Sequence, residues 1–178
     1  MKDLKQFNIP FVGLKEGKHI FEYNIDNTFF SLFNFDEFED ATIHVSLEFV
    51  KKSTLFELVF TATGTINVPC DVSNELYDQE ITSELPLVIK FGPEYNDDNE
   101  EILILPNEAY QFNVAQFIYE MIVLSIPSKR VHPKVLDGTM ESEALETLKQ
   151  LQSKGEKTVE ITDPRWDKLK NLITEKKT

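Results

Sequence analysis

Between Leu55 and Cys70 the apolar residues fall on one parity: Phe56, Leu58, Phe60 and Ala62, then Ile66, Val68 and Cys70. Thr61, Thr63, Thr65 and Asn67 fill most of the other. This period-two alternation predicts a long strand with one buried and one solvated face. Gly64 interrupts it, where a bulge or bend would be tolerated. Ile81, Leu85, Leu87, Ile89 and Phe91 repeat the pattern and predict a second long strand, closed by a Gly92-Pro93 turn. Upstream, residues 41–49 alternate without a fault, apolar at odd positions and polar at even ones. Lys51-Lys52-Ser53 then turns the chain, so this strand and the next should pair as an antiparallel hairpin. His44 lies on the polar face and is expected to be solvated. Residues 7–14 and 19–23 predict two more strands joined at Lys15-Glu16-Gly17. Asp97, Asp98, Glu100 and Glu101 cluster ahead of a short strand at 102–105; without EF-hand spacing they read as a solvated hairpin loop.

The period changes after Phe112. Val114, Phe117, Ile118, Met121, Ile122 and Leu124 supply the broad apolar face of a helix over 113–126, with Gln116, Glu120 and Val123 on the other side. Asn113 can cap it, Gln116 stands where a capping box wants Glu or Gln, and Phe112 and Phe117 hold the positions of a hydrophobic staple. Pro127 ends it. Phe29, Phe30, Leu32, Phe33 and Phe35 are expected in the core. A base-stacking platform would want a basic groove, and Asp36, Glu37, Glu39 and Asp40 follow at once. A weakly amphipathic helix over 143–152 uses Leu145, Leu148 and Leu151, and Asp163-Pro164 starts another, with Trp166, Leu169, Leu172 and Ile173 on one face. One polar face per strand fits an antiparallel sheet. The expected fold is therefore α+β: a mainly antiparallel, strongly bent sheet packed by one buried helix, with C-terminal helical segments.

Charge divides the chain at the same place as the helix stop. The 178 residues carry a net −13. Residues 129–178 hold 11 basic and 9 acidic side chains, a net of +2, which leaves −15 for residues 1–128. We therefore expect a β-rich core domain with its closing helix at 1–127 and a basic, helical extension at 128–178. The acidic core argues against an extended nucleic-acid footprint and favours a basic protein partner. Residues 1–10 have no apolar signal core, and no run of 18 apolar residues occurs, so a cytoplasmic protein without a membrane partner is expected. A single cysteine excludes an internal disulfide and a cysteine-based structural zinc site. Nucleophile elbows, phosphate loops and metal spacings are lacking, and the spacing of His19, His44 and His132 suggests no shared site. The chain is expected not to be an enzyme and to need no metal or cofactor. Lys129, Arg130, His132 and Lys134 form a short basic turn that could meet a phosphate or a partner.

Several motifs resemble the YceD-like family, the large ribosomal RNA subunit accumulation proteins, long catalogued as a domain of unknown function. Cys70-Asp71-Val72-Ser73 stands where the family has a Cys-x-x-Cys element, with serine for the second cysteine. Asn113-Val114 replaces the usual Asp-Leu. Glu120-Met121-Ile122-Val123-Leu124-Ser125-Ile126-Pro127 matches the family's Glu-x-x-x-Leu-x-x-Pro helix end, and His132-Pro133 follows. The tail Asp163-Pro164-Arg165-Trp166-Asp167-Lys168-Leu169-Lys170 is similar to the family's Asp-Pro or Asn-Pro opening to a Leu-Lys helix. The resemblance spans residues 41–173. It implies a non-catalytic role in 23S ribosomal RNA accumulation and large-subunit assembly, through a basic ribosomal protein or rRNA-processing factor. The alternative is direct binding of 23S ribosomal RNA by the C-terminal basic segments. The family motif maps to Cys70, Asn113, Glu120 and Pro127, and the candidate partner contacts are Glu120, Lys129, Arg130, His132, Arg165 and Trp166. Further cysteines after the proline have invited a zinc reading of the family; here Cys70 is alone and is expected to be a buried core residue.

Overall fold

The computed structural model describes residues 3–99, 101–140, 145–147 and 150–151. In chain order the strands are β1 (Asn8–Ile9), β2 (Gly17–Ile25), β3 (Asp40–Lys51), β4 (Leu55–Pro69), β5 (Leu76–Gly92), β6 (Asn96–Asn99), β7 (Ile102–Pro106) and β8 (Phe112–Asn113). The α-helices are α1 (Asn27–Ser31), α2 (Ala115–Leu124) and α3 (Pro133–Leu136), and a 3-10 turn covers Asp3–Phe7. Residues 1–132 and 133–178 form two compact units. The first is mostly sheet. The second contains α3 and helical residues at 145–147 and 150–151; the helix expected from Asp163 lies outside the described residues.

The alternating stretches become the middle of a six-stranded sheet ordered β2-β3-β4-β5-β7-β6. β3 and β4 pair antiparallel from Lys51↔Phe56 to Asp40↔Asn67, and β4 and β5 from Leu55↔Lys90 to Pro69↔Leu76. Val45, Leu47, Phe49, Phe60, Ala62, Ile66, Val68 and Ile89 are all buried on one face. His44 is exposed and hydrogen-bonds Asn24 at 3.2 Å. Three segments cover the apolar face. Phe11 packs on Phe56 and Phe91, with ring centroids 5.0 and 5.8 Å apart. Phe29 and Phe30 of α1 are buried, and α2 contributes Ala115, Ile118, Met121 and Ile122.

Three expectations hold only in part. Four of the five strand pairs of the sheet are antiparallel, but β7 runs parallel to β5 from Val88↔Ile102 to Gly92↔Pro106, so the sheet is mixed. The chain leaves β5, passes to the edge as β6, and returns as β7 between the two. Composition decides which strand goes where. β7 buries Leu103 and Leu105 and takes the inner slot, whereas Asn-Asp-Asp-Asn of β6 is exposed throughout and suits an edge.

Second, residues 7–14 do not pair with residues 19–23. β1 pairs with β8 instead, through Asn8↔Asn113 and Ile9↔Phe112, and β2 lies along β3. Phe7, Ile9 and Phe11 are all buried, so the alternation was real. It reflects burial of a turn, a two-residue strand and a loop, and the Lys51 ammonium fixes that loop by donating to the carbonyls of Phe11 and Leu14 at 2.9 and 2.8 Å.

Third, the closing helix is shorter than 113–126. Proline disfavours helical geometry in the residue before it, and the Ser125 N–H donates back to Ile122 O at 3.0 Å ahead of Ile126-Pro127. Leu124, counted on the apolar face, is 84% exposed.

Gly64 stays in register, opposite Ile43 and Ile81, with no bulge. Its role is close approach: a Cβ there would lie 2.3 Å from Thr42 O and 2.6 Å from Ile43 Cα, both main-chain atoms of β3. Gly64→Ala should therefore cost about 1–3 kcal/mol or more, since backbone has to move. Gly13→Ala, with nothing within 4 Å, should stay within about 0.5 kcal/mol. Urea unfolding of both variants checks this, and equal midpoints would refute the steric account.

Candidate functional site

The motif residues sort around α2. At its start, the Asn113 side chain works in two directions. Its Oδ1 accepts the Ala115 N–H at 3.0 Å, which satisfies one of the helix's unpaired N–H groups. Its Nδ2 donates to Leu4 O at 3.0 Å and Asn8 Oδ1 at 2.5 Å. The Val114 N–H donates to Phe7 O at 3.0 Å, so the N-terminal segment and the helix start are one hydrogen-bonded unit. The Phe112–Phe117 staple forms, with centroids 5.4 Å apart. The capping box does not: the Gln116 Nε2 donates to Glu120 Oε1 at 2.8 Å rather than reaching back to the cap. Tyr119, which the sequence reading left unassigned, stacks on Phe33 at 4.3 Å and 8° and ties α2 to the aromatic cluster after α1.

Glu120 faces away from that contact. It lines a groove of about 400 Å³ between α2 and the β5–β7–β6 side of the sheet. Leu85, Leu87, Leu103, Phe117 and Met121 provide its apolar walls, and Asp97, Asn99, Gln116 and Glu120 its polar ones, with Tyr95 and Leu124 completing it. The Tyr95 hydroxyl donates to Asp97 Oδ2 at 3.2 Å. Burial first, and then the negative charge of Asp97 with its hydrogen bond and of Glu120, raise the Tyr95 phenol above its ordinary value. Among the described residues Glu120 makes no ion pair, with Lys129, Arg130 or any other cation.

The basic turn meets a different motif residue. Between Cys70 and Glu75 the chain reverses, with the Asn74 N–H donating to Cys70 O at 2.8 Å and Asn74 itself at φ 59°. Residues 130–132 run alongside this loop. The Asp71 N–H donates to Arg130 O at 2.8 Å, and the Arg130 N–H to Asp71 Oδ2 at 2.6 Å. The Arg130 guanidinium lies 3.7 Å from Asp71 Oδ1, a partly exposed pair whose contribution is small. The His132 N–H donates to Cys70 Sγ at 3.3 Å, and its ring lies against Tyr77 at 5.2 Å. Cys70 is buried, as expected of a core residue, and its sulfur is also a hydrogen-bond acceptor. Burial pushes the thiol up, but hydrogen bonds from the His132 backbone, from the Ser73 side chain and from the Ser73 and Val72 backbone outweigh it and bring the value from 9.0 down to about 7. Ser73 occupies the place of a second thiolate. One thiol and one hydroxyl do not make the Cys/His set that structural zinc takes. Among the described residues no three His, Cys, Asp or Glu side chains could hold a metal ion.

Of the candidate contacts, the structure joins Arg130 and His132 to the Cys70 loop and places Glu120 in the groove. Lys129 is exposed. Pro127 is exposed just beyond the helix end. Arg165 and Trp166 lie outside the described residues. Sequence reasoning missed the groove, because Tyr95, Asp97 and Leu103 come from three strands or loops whose adjacency depends on the parallel β5–β7 pairing. Among the described residues, no helix is long and apolar enough to cross a membrane.

A family model described as large ribosomal RNA subunit accumulation protein YceD matches residues 58–173. The match takes in β4, the Cys70 loop, the groove and α2. Comparison with curated proteins and with solved structures finds no match.

The Cys70 loop makes a prediction with a sign. The folded thiol ionises near pH 7 and the unfolded one higher, so ionisation favours the folded state. That contribution is complete above about pH 9 and is lost as pH falls through about 7. The stability gap between wild type and Cys70→Ala should widen from about pH 6 to about pH 9. Cys70→Ser should remain folded, about 1–2 kcal/mol less stable at neutral pH. Denaturant titrations at the pH extremes check both, and a gap that does not change with pH would refute the depressed thiol.

Proposed function

The chain belongs to the YceD family, and from that premise we propose that it is a non-catalytic factor that supports accumulation of large-subunit ribosomal RNA by binding a basic protein of the assembling subunit. The family's description supplies the link to ribosomal RNA. The chemistry of the partner rests on one observation: Glu120, in the matched motif, borders an apolar groove whose other charged lining residue, among the described residues, is Asp97. A basic protein complements that face, and complementary potentials speed and orient encounter. The same face would repel the phosphates of RNA. Arg130, a candidate for RNA contact, is instead engaged with Asp71.

Glu120→Gln is the direct test. The carboxylate is exposed and its one hydrogen-bond partner among the described residues is a neighbouring side chain, so the variant should melt close to wild type, within about 0.5 kcal/mol. It should nevertheless fail to restore large-subunit ribosomal RNA levels in a strain lacking the gene, because truncating a charge buried in a complex costs about 2–5 kcal/mol. Full restoration by the folded variant would end the claim for Glu120. In the same strain, crosslinking to wild type should recover protein at α2; recovery of RNA there would favour direct RNA binding.

A further inference from the structure

The groove beside α2 combines an apolar floor with an acidic rim. A single exposed leucine would mean little. Leu124 and Tyr95, at 84% and 53% exposed, instead continue the half-buried surface of Leu85 and Phe117, beneath which Leu87, Leu103 and Met121 are buried. Among the described residues, the charged side chains that line the groove are Asp97 and Glu120, and no Lys or Arg lines it. Its volume of about 400 Å³ falls within the range of ligand sites. We propose that this groove docks an extended basic peptide segment of the partner, which lays apolar side chains on Leu85, Phe117 and Leu124 and sets flanking lysines or arginines against Glu120 and Asp97. The inference rests on the reading of the partner as a basic protein, and adds the surface and the pattern it recognises. RNA offers phosphate where the groove offers carboxylate. A second copy would bring an identical acidic rim to the same place, because a twofold interface sets each patch against itself.

The probe is a fluorescein-labelled peptide alternating Lys with Leu, and its control has Ser at each Leu position. Both are titrated with the full chain by fluorescence anisotropy. The Lys–Leu peptide should bind about tenfold tighter than the Lys–Ser peptide if the apolar floor is used. Glu120→Lys and Leu124→Ser should each weaken it about tenfold, whereas Glu22→Lys, the same charge change on the opposite edge strand β2, should weaken it less than about twofold. Leu124 is exposed, so its substitution should leave the fold intact. Equal loss in Glu22→Lys and Glu120→Lys would mean diffuse attraction and overturn the site. A dimer dispersed by Leu124→Ser would assign the groove to a second copy, and direct binding of a labelled ribosomal RNA hairpin that Leu124→Ser weakens would assign it to RNA; either overturns the proposal. The two readings fail separately. Peptide binding lost in Glu120→Lys while that variant restores ribosomal RNA levels keeps the site and removes its cellular role. No peptide selectivity while Glu120→Gln fails in cells keeps the role and removes this site.

Discussion

β4 buries every second side chain along most of its fifteen residues, and that apolar face has to be covered. Each large side chain withdrawn from water contributes about 1.5–3 kcal/mol, so the face dictates where the rest of the chain goes. Neighbouring strands cannot cover it, because they lie in the same layer. The cover comes from the N-terminal segment, from α1 with its aromatic cluster, and from α2. These pieces are far apart in sequence, and they meet over β4 because each has apolar surface to bury there.

A cover assembled from separate pieces has margins, and the motif residues occupy them. Asn113 secures the start of α2 to the N-terminal segment. Cys70 and Asp71 hold the segment that follows α2 through main-chain and side-chain hydrogen bonds. Both act within the chain. Glu120 differs: its flank of α2 meets β7 and the acidic edge strand β6 across a groove rather than through close packing. The helix thus has a side fastened to the fold, through Tyr119 and Phe33, and a side that remains open.

Much of this was legible in the sequence. The single parity of β3, β4 and β5 gave their buried faces and the β3–β4 hairpin correctly, since alternation reports burial directly. Alternation does not name a partner strand. For that reason residues 7–14 read as a whole strand joined to the next at Lys15-Glu16-Gly17, although only a two-residue strand forms there and pairs with residues 112–113. The same blindness hid the parallel placement of β7, which depends on competition between an apolar and an acidic segment for the inner slot. At the helix, residue type announced the staple, but Gln116 could either accept the backbone N–H at the cap or donate to Glu120, and it donates to Glu120. Cys70 was legible as core; its role as acceptor was not, because the donors arrive from Ser73 nearby and from His132, 62 residues away. The groove could not be read at all without the β5–β7 pairing.

The bond between Asn113 and Asn8 spans 105 residues, and this separation orders events while the chain is being made. The β2–β5 meander needs only near neighbours and can close as each strand leaves the ribosome. Ile9 cannot complete its strand pairing until residues 112–113 exist. Closing so long a loop carries an entropic cost that is met only when the contacts at its ends form. That short strand therefore waits for its partner while the sheet is being made, and during that interval its apolar side chain is open to a chaperone.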